Sequence, residues 1–535
     1  MNKFFKNWRS DLPASLVVFL VALPLCLGIA LASTGDEPRL FSGIIAGVVG
    51  GIVVGFASGS KLGVSGPAAG LITIVIATIT TLGSFEAFLL AVVLSGVIQL
   101  IAGFLKAGVI GNYFPSSVIK GMLAAIGLTL ILKEIPHAVG YDVDFVGDEA
   151  FFQVDGHNTF SEIFLALNKI SPGAIIISVI SILILILFDK PFLKKIALFK
   201  ILPGALFVVL LGIGTNLFFQ WFYPDLYLNS KHLVTLPKAN SWSDFVSFFT
   251  FPDFSALKNP QVYIVAGTIA LVGSIETLLS AEATDKLDPE KNHTSRDKEL
   301  KAQGLGNIIS GLLGGLPITQ VIVRSSANIN SGGKSKLSAI LHGFFLFSSV
   351  LLIPSILNLI PLASLAGLLV MVGYKLSNIN LFKQMYKLGW DQFLPFLSTI
   401  IAILLTDLLR GIGIGMLFAL LLAIYSKSQK FKNYQQAFLY FIHFIWKREF
   451  KKNLIIQKRN SEVSLILLNK ITFLNKLRLN QVLDRISENG KIIIDGTNCK
   501  KIDIDILEII QNFINHRAQE KYIQVEIINI EKIKK

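Results

Sequence analysis

Residues 63–70 read GVSGPAAG and residues 314–320 read GGLPITQ, and each cluster opens a short apolar segment, at about 66–80 and 317–330. Glycine and proline disrupt continuous helices, so each cluster predicts a short helix that begins inside an apolar region. The first backbone N–H groups of such a helix have no partner within it, and the positive end of its dipole is exposed. Two such ends predict a site for a negatively charged group.

The composition around these clusters is that of a membrane protein. Of the 535 residues, 53% are hydrophobic and 16% are charged, whereas soluble domains average about 45 to 50% apolar and about 25% charged residues. A helix needs about 20 apolar residues to cross a bilayer. Twelve further segments approach this length, at about 12–32, 41–58, 86–105, 115–132, 173–188, 200–219, 260–281, 302–315, 337–353, 362–375, 392–407 and 411–428.

The two half-helices bring the count to fourteen segments and fall third and tenth in order. They are therefore third in each half of a seven-plus-seven inverted repeat, the place that marks the central site of many secondary transporters. Glycine and proline also permit kinks or close packing in membrane helices, which is the alternative explanation of either cluster alone. The pattern predicts an all-α multi-pass membrane protein.

The charged residues predict the topology. The formal charge of +14 comes from basic clusters between apolar segments, which is typical of cytoplasmic loops and argues against a nucleic-acid partner. Lys3, Lys6 and Arg9 precede the first segment, whereas the loop of residues 133–172 is mainly acidic. An even number of segments then predicts a cell-membrane protein with both termini in the cytoplasm.

The polar end of the chain predicts a second domain. Short β-like stretches alternate with helical patterns from about residue 453, which suggests a small α/β domain. We therefore expect a membrane transport domain at 1–428, a cytoplasmic linker at 429–452 and an α/β domain at 453–535.

The sequence carries no pattern of an enzyme. Cys26 and Cys499 are the only cysteines, which excludes a disulfide framework and a cysteine-ligated zinc site. No nucleotide-binding loop, metal cluster or nucleophile triad is recognisable. We expect no enzymatic activity, no cofactor and no bound metal.

Glu276 is the clearest candidate for a functional side chain. It lies in the apolar segment ALVGSIETLLSAEATDK, where a carboxylate costs about 2.5 to 3.5 kcal/mol on insertion scales and therefore needs a cavity, a partner or an ion. One interpretation is that Glu276 carries a proton, because burial raises the pKa of a carboxyl group. Ser280 lies one turn later on the same helix face as Glu276. A structural hydrogen bond between helices is the alternative.

Arg324 lies one to two turns into the second half-helix. It could attract an anion or line its inner exit. It could equally pair with a carboxylate or extend to the cytoplasmic surface.

Four stretches resemble the sulfate permease (SulP) family of anion transporters: FPSSVIKG at 114–121, SGPAA at 65–69, SIETLLSAEATD at 274–285 and GLGNIISGLLGGLPITQVIVRSSANI at 304–329. The resemblance covers residues 9–428. The tail, residues 453–535, resembles that family's STAS (sulfate transporter and anti-sigma factor antagonist) domain. It implies a gate bundle, elevator-like alternating access, commonly a homodimer, and an anion site between the two half-helix ends. By this resemblance, the acidic coupling position is Glu276 and the substrate-binding positions are Ser65, Gly66, Ala68, Thr319, Gln320 and Val321. Helix spacing adds Ser280 as the coupling neighbour of Glu276.

The chain departs from the family pattern in three respects. Pro24 is followed by Leu25, where the family often has a substrate-facing glutamine. Sodium-coupled bicarbonate members use Asp at the acidic position and Thr near 322, whereas this chain has Glu276 and Ile322. Regulated STAS domains often have a phosphorylatable hydroxyl where KKIDIDILEII has only aspartates.

The resulting expectation is a secondary active transporter of a small inorganic oxyanion, with sulfate ahead of bicarbonate, H+ ahead of Na+ as the coupling ion, and membrane lipid as its surroundings. An uncoupled anion channel is one alternative. A nucleobase permease of the same inverted-repeat fold is another, but such proteins usually carry acidic residues on both the eighth and tenth helices.

Overall fold

The computed structural model describes residues 5–34, 39–143, 151, 156–190, 203–236, 238, 241–428, 453–459 and 462–530. The expected linker at 429–452 lies outside these residues. Fourteen helices of the apolar region are labelled here in chain order: α1 Trp8–Thr34, α2 Leu40–Val49, α3 Ile72–Leu82, α4 Phe85–Phe104, α5 Ser116–Ala138, α6 Pro172–Phe188, α7 Gly204–Phe222, α8 Pro260–Leu287, α9 Arg296–Leu313, α10 Ile322–Asn330, α11 Lys336–Leu352, α12 Leu362–Leu376, α13 Trp390–Leu405 and α14 Leu408–Ser428.

Six described helical stretches are long and apolar enough to cross a bilayer, or seven if the helix Thr159–Leu167 and α6, bent by 117°, count as one. The six are α1, Leu40–Ala57, α4, α7, α8 and Leu362–Lys387. The half-helices α3 and α10 have only 11 and 9 residues, as the glycine and proline clusters predict. The predicted fold class, a helical multi-pass membrane protein with two half-helices, is confirmed.

The helices sort into two bundles. α1–α4 pack mainly with α8–α11, which we call the first bundle, and α5–α7 pack mainly with α12–α14, the second bundle. Glycine allows backbone contact inside each: a Cβ on Gly96 of α4 would lie 2.6 Å from the carbonyl oxygen of Gly304 on α9, and a Cβ on Gly127 of α5 would lie 2.5 Å from that of Gly373 on α12. The first four helices of each predicted half thus build one bundle and the last three build the other.

The tail is a small α/β domain, as predicted. Its strands are β3 Leu454–Arg459, β4 Glu462–Leu467, β5 Asn469–Ile471, β6 Lys491–Asp495, β7 Cys499–Ile502 and β8 Gln524–Ile528, and its main helices are α15 Lys476–Asp484 and α16 Ile504–Asn512. The main sheet has the order β3-β4-β6-β8, with β3 antiparallel to β4 and the other neighbours parallel. Residues on one face of the sheet, including Leu465, Ile492 and Ile494, are buried against the helices.

The tail packs on the ends of α5 and α8 through paired charges. Asp505 of α16 accepts hydrogen bonds from the backbone N–H of Ser116, 3.1 Å away, where α5 begins. Glu508 Oε1 lies 2.6 Å from Lys120 Nζ, and its Oε2 lies 3.5 Å from Lys286 Nζ on α8. Lys476 Nζ of α15 lies 3.5 Å from Glu282 of α8. One tail helix therefore contacts both bundles.

Candidate functional site

Two three-residue strands bring the half-helices together. β1, Ser65–Pro67, precedes α3, and β2, Ile318–Gln320, precedes α10. They pair antiparallel, with Ser65 opposite Gln320, Gly66 opposite Thr319 and Pro67 opposite Ile318. Because each strand leads into its half-helix, the pairing sets the two helix N-termini beside each other.

Neither half-helix begins with a side-chain cap. The turn Ala69–Leu71 follows Ala68 and leads into α3, whose N-cap position is Leu71. The N-cap position of α10 is Val321. None of Ala68, Leu71 and Val321 supplies a side-chain cap. Uncapped N-termini retain N–H groups without intrahelical partners and a partial positive charge. The predicted binding positions Gly66, Ala68, Thr319 and Val321 all lie on this paired segment.

Two amides of α9 hold the paired strands in place. Gln303 Nε2 donates to Ser65 Oγ at 2.7 Å. Asn307 accepts from the backbone N–H of Ile318 at 2.6 Å and donates to its carbonyl oxygen at 3.1 Å, as a neighbouring strand would. Sequence reasoning missed both residues, although Glu299, Gln303 and Asn307 recur every fourth position in α9 and so predict a polar stripe on one face.

Two predicted binding residues have side chains engaged in the scaffold. The hydroxyl of Ser65 accepts from Gln303, as described above. The side chain of Gln320 reaches α8, where its Nε2 donates to Thr284 Oγ1 at 2.9 Å. The side chains of Ser65 and Gln320 therefore fix the position of β1 and β2, and the backbone N–H of Gln320 also donates to α8, to Thr277 Oγ1 at 3.4 Å.

Thr319 has a hydroxyl that the surrounding protein does not use. Its side chain is buried, and its Oγ1 has no hydrogen-bond partner among the residues that the structure describes. Gly273 of α8 leaves space beside it, since a Cβ there would lie 3.6 Å from Thr319 Cγ2. A buried hydroxyl without a partner is costly, and a bound ligand would satisfy it.

Arg324 is the third residue of α10, in its first turn, and is 0% exposed, so the interpretation that it extends to the cytoplasmic surface is wrong. Its Nε, Nη1 and Nη2 have no hydrogen-bonded oxygen within the described part of the chain, so pairing with a carboxylate is not observed there either. The guanidinium does interact with the buried thiol of Cys26, which does not neutralise its charge while the thiol keeps its proton. The guanidinium adjoins the strand pair: a Cβ on Gly66 would lie 2.0 Å from Nη1. A buried, uncompensated positive charge of this kind requires an anionic partner.

Glu276 lies against the start of the other half-helix. It is 5% exposed on α8, and a Cβ on Gly70, in the turn that opens α3, would lie 3.2 Å from its Oε1. Ser280 is buried one helical turn further along α8. An acid thus adjoins the α3 end of the strand pair and a guanidinium adjoins Gly66.

Comparison with known proteins identifies the family. A model of the "Sulfate permease family" matches residues 8–402. The "Putative sulfate transporter YvdB" of Bacillus subtilis (strain 168) is 29% identical over 436 residues, which cover 81% of this chain and 76% of that protein. The "Bicarbonate transporter BicA" of Picosynechococcus sp. (strain ATCC 27264 / PCC 7002 / PR-6) is 28% identical over 429 residues, which cover 78% of this chain and 71% of that protein.

Solved structures share the fold. The transmembrane domain of a cyanobacterium bicarbonate transporter BicA aligns with a TM-score of 0.54 at 24% identity, covering 76% of this chain and 98% of that one. The overall structure of SLC26A9 aligns with a TM-score of 0.56 at 14% identity, covering 99% of this chain and 85% of that one. The family model spans most of the membrane region, including both half-helices, α8 and the strand pair. The chain therefore belongs to the sulfate permease family of anion transporters.

Proposed function

We propose that the protein is a secondary active transporter of a small inorganic oxyanion, sulfate first and bicarbonate second, which binds where the paired strands β1 and β2 lead into the two half-helices. The observation that carries this proposal is the fully buried guanidinium of Arg324 beside Gly66, which has no carboxylate partner among the described residues. Sulfate carries two negative charges and four acceptor oxygens, which suit a guanidinium, a hydroxyl and two uncapped helix ends together.

In the proposed site, backbone N–H groups in the first turns that follow Ala68 and Val321 donate to the anion beside Gly66, and the hydroxyl of Thr319 adds a further donor. Arg324 supplies the compensating charge. Its complete burial supports a role within the site rather than only along the anion's exit. Preorganised donors of this kind bind without reorientation, because Gln303 and Asn307 already fix the strands.

Glu276 is proposed to carry the coupled proton, with Ser280 as its neighbour. A carboxylate beside the first turn of α3 would repel an incoming anion, and protonation removes that repulsion. Proton and anion would then bind together, which is symport. Sodium is the second candidate for the coupling ion, because Glu276 and Ile322 differ from the Asp and Thr of sodium-coupled members.

The packing supports an elevator-like movement. Both half-helices, both strands and Glu276 belong to the first bundle, so a shift of that bundle against the second would carry the site as one body. We further propose a homodimer in the cell membrane with both termini cytoplasmic, a transport domain at 1–428 and a STAS-like domain at 453–535.

Counterflow in proteoliposomes tests the substrate. Labelled sulfate, bicarbonate and uracil are each supplied to vesicles preloaded with the unlabelled compound, with and without an inward proton gradient. Sulfate accumulation that the gradient stimulates supports the proposal. Uracil counterflow would establish a nucleobase permease instead, although Arg324 and the lack of an acidic residue in α10 argue against it. Sulfate flux that is insensitive to any imposed proton or sodium gradient would establish an uncoupled channel.

A further inference from the structure

The contact between tail and membrane domain has two chemically different parts. In the first part, opposite charges face each other: Glu508 meets Lys120 and Lys286, and Lys476 meets Glu282. The second part is a cavity of about 360 Å³, which we call the joint cavity. Its walls come from the loop after α2, the α8–α9 loop, the end of α15 and the segment that follows α16.

The walls of the joint cavity carry mainly positive charge from both domains. Lys61 and Lys291 line it from the membrane domain, and Arg517 and Lys521 line it from the tail. Glu290 is the one carboxylate among the lining residues, and it lies 4.0 Å from Lys61. Like charges facing each other across a cavity repel, so this half of the contact lacks the complementarity of the other half.

Two histidines lining the same cavity respond to this environment. Burial first, and then the nearby guanidinium groups of Arg296 and Arg517, lower the pKa of His293 to about 3, although Asp285 lies 3.6 Å from its Nδ1. The Nδ1 of His516 is buried and has no hydrogen-bond partner among the described residues. A negatively charged group with acceptor oxygens would answer both observations.

The size and the apolar wall restrict what could fill the space. About 360 Å³ lies at the lower end of small-molecule sites, which span about 300 to 1,000 Å³, and exceeds the roughly 30 Å³ of a water molecule by an order of magnitude. Leu483 and Phe513 supply apolar surface next to the cations. We propose that the joint cavity binds a small molecule bearing a multiply charged phosphate group, which bridges the membrane domain and the tail.

Pyrophosphate titrated into the full-length purified protein tests this site by calorimetry at low salt. Wild type should bind it saturably, and the double variant Arg517→Gln/Lys521→Gln should bind it at least tenfold more weakly. The double variant Arg485→Gln/Lys500→Gln removes the same charge from exposed tail positions outside the cavity and should bind as wild type does. Equal weakening in both variants would show non-specific attraction and overturn the proposal, as would wild-type affinity in the cavity variant.

Three further arms complete the experiment. Thr319→Val, in the proposed transport site, should leave pyrophosphate affinity unchanged, and a parallel loss there would overturn the separate site. Inorganic phosphate is titrated in the same way: binding as tight as that of pyrophosphate supports free phosphate as the occupant, and weaker binding supports a larger phosphorylated molecule. If Arg517→Gln/Lys521→Gln does not fold, Lys61→Gln/Lys291→Gln removes the charge from the membrane-domain wall and should also bind pyrophosphate at least tenfold more weakly. Lys383→Gln/Lys387→Gln is its control and should bind as wild type does. Unchanged pyrophosphate affinity in Lys61→Gln/Lys291→Gln would overturn the proposal.

Discussion

The two half-helices share a geometry but differ in chemistry. α3 reads ITIVIATITTL and is largely apolar, and the nearest acid to its opening turn, Glu276, comes from α8. α10 reads IVRSSANIN and buries its own polar side chains, including Arg324, Ser325, Ser326 and Asn328. The comparison teaches that an inverted repeat can supply two equivalent helix ends with different electrostatic surroundings: a buried cation on the α10 side and a buried acid on the α3 side. In the proposed mechanism, the first would attract the anion and the second would take up the coupled proton.

Removing the charge on the α10 side should have the largest effect. Arg324→Gln should weaken sulfate binding by about 150- to 4,000-fold, because loss of one partner of a buried ion pair costs about 3 to 5 kcal/mol. Equilibrium binding of labelled sulfate to purified protein measures it. Arg410→Gln, at an exposed arginine that pairs with Asp407, is the matched control and should bind normally. Normal affinity in Arg324→Gln would place the anion elsewhere.

Steric interference on the α3 side should rank second. Gly66→Ala places a Cβ 2.0 Å from Arg324 Nη1, and Gly66→Val adds more bulk. Overpacking typically costs about 1 to 3 kcal/mol, so we expect sulfate affinity to fall about 10- to 100-fold in the alanine variant. Gly267→Ala adds the same atom where nothing lies within 4 Å and serves as the control. The proposed contact between the two halves fails if both variants bind alike.

Glu276→Gln separates coupling from binding. The amide mimics the protonated acid, so sulfate exchange should persist while stimulation by an inward proton gradient disappears. Glu276→Asp retains a titratable group and should keep more of the stimulation. Uptake into proteoliposomes with and without the gradient measures both. Wild-type stimulation of the Gln variant would reduce Glu276 to a packing or hydrogen-bonding residue.

The hydroxyl of Thr319 should have the smallest effect. Thr319→Val keeps the shape but removes one donor, and a single hydrogen bond contributes about 0.5 to 1.5 kcal/mol, so sulfate affinity should fall about 3- to 10-fold. Binding measured as for Arg324→Gln tests it. Thr268→Val, at an exposed threonine of α8 whose hydroxyl bonds within its own helix, should change nothing. A loss as large as that of Arg324→Gln would mean that the variant distorts the strand pair.

The sequence predicts the half-helices because glycine and proline act locally, and it singles out Glu276 because a carboxylate in an apolar segment is conspicuous whatever the fold. It could not decide among the roles of Arg324, since burial depends on which helices surround α10. It also left Gln303 and Asn307 unnoticed, because their importance arises only when β1 and β2 pair across more than 250 intervening residues. The charged contact between tail and membrane domain was missed for the same reason.

The hydrogen bond from the N–H of Ser116 to Asp505 joins residues 389 positions apart. During synthesis the ribosome therefore produces the start of α5 long before its acceptor exists, and at about 5 to 20 residues per second the delay is roughly 20 to 80 seconds. Throughout that interval the backbone N–H of Ser116, in the first turn of α5, must donate its hydrogen bond to water or to another molecule. Completion of this helix end therefore waits for the last-made domain, and a chain terminated before residue 505 would lack the acceptor.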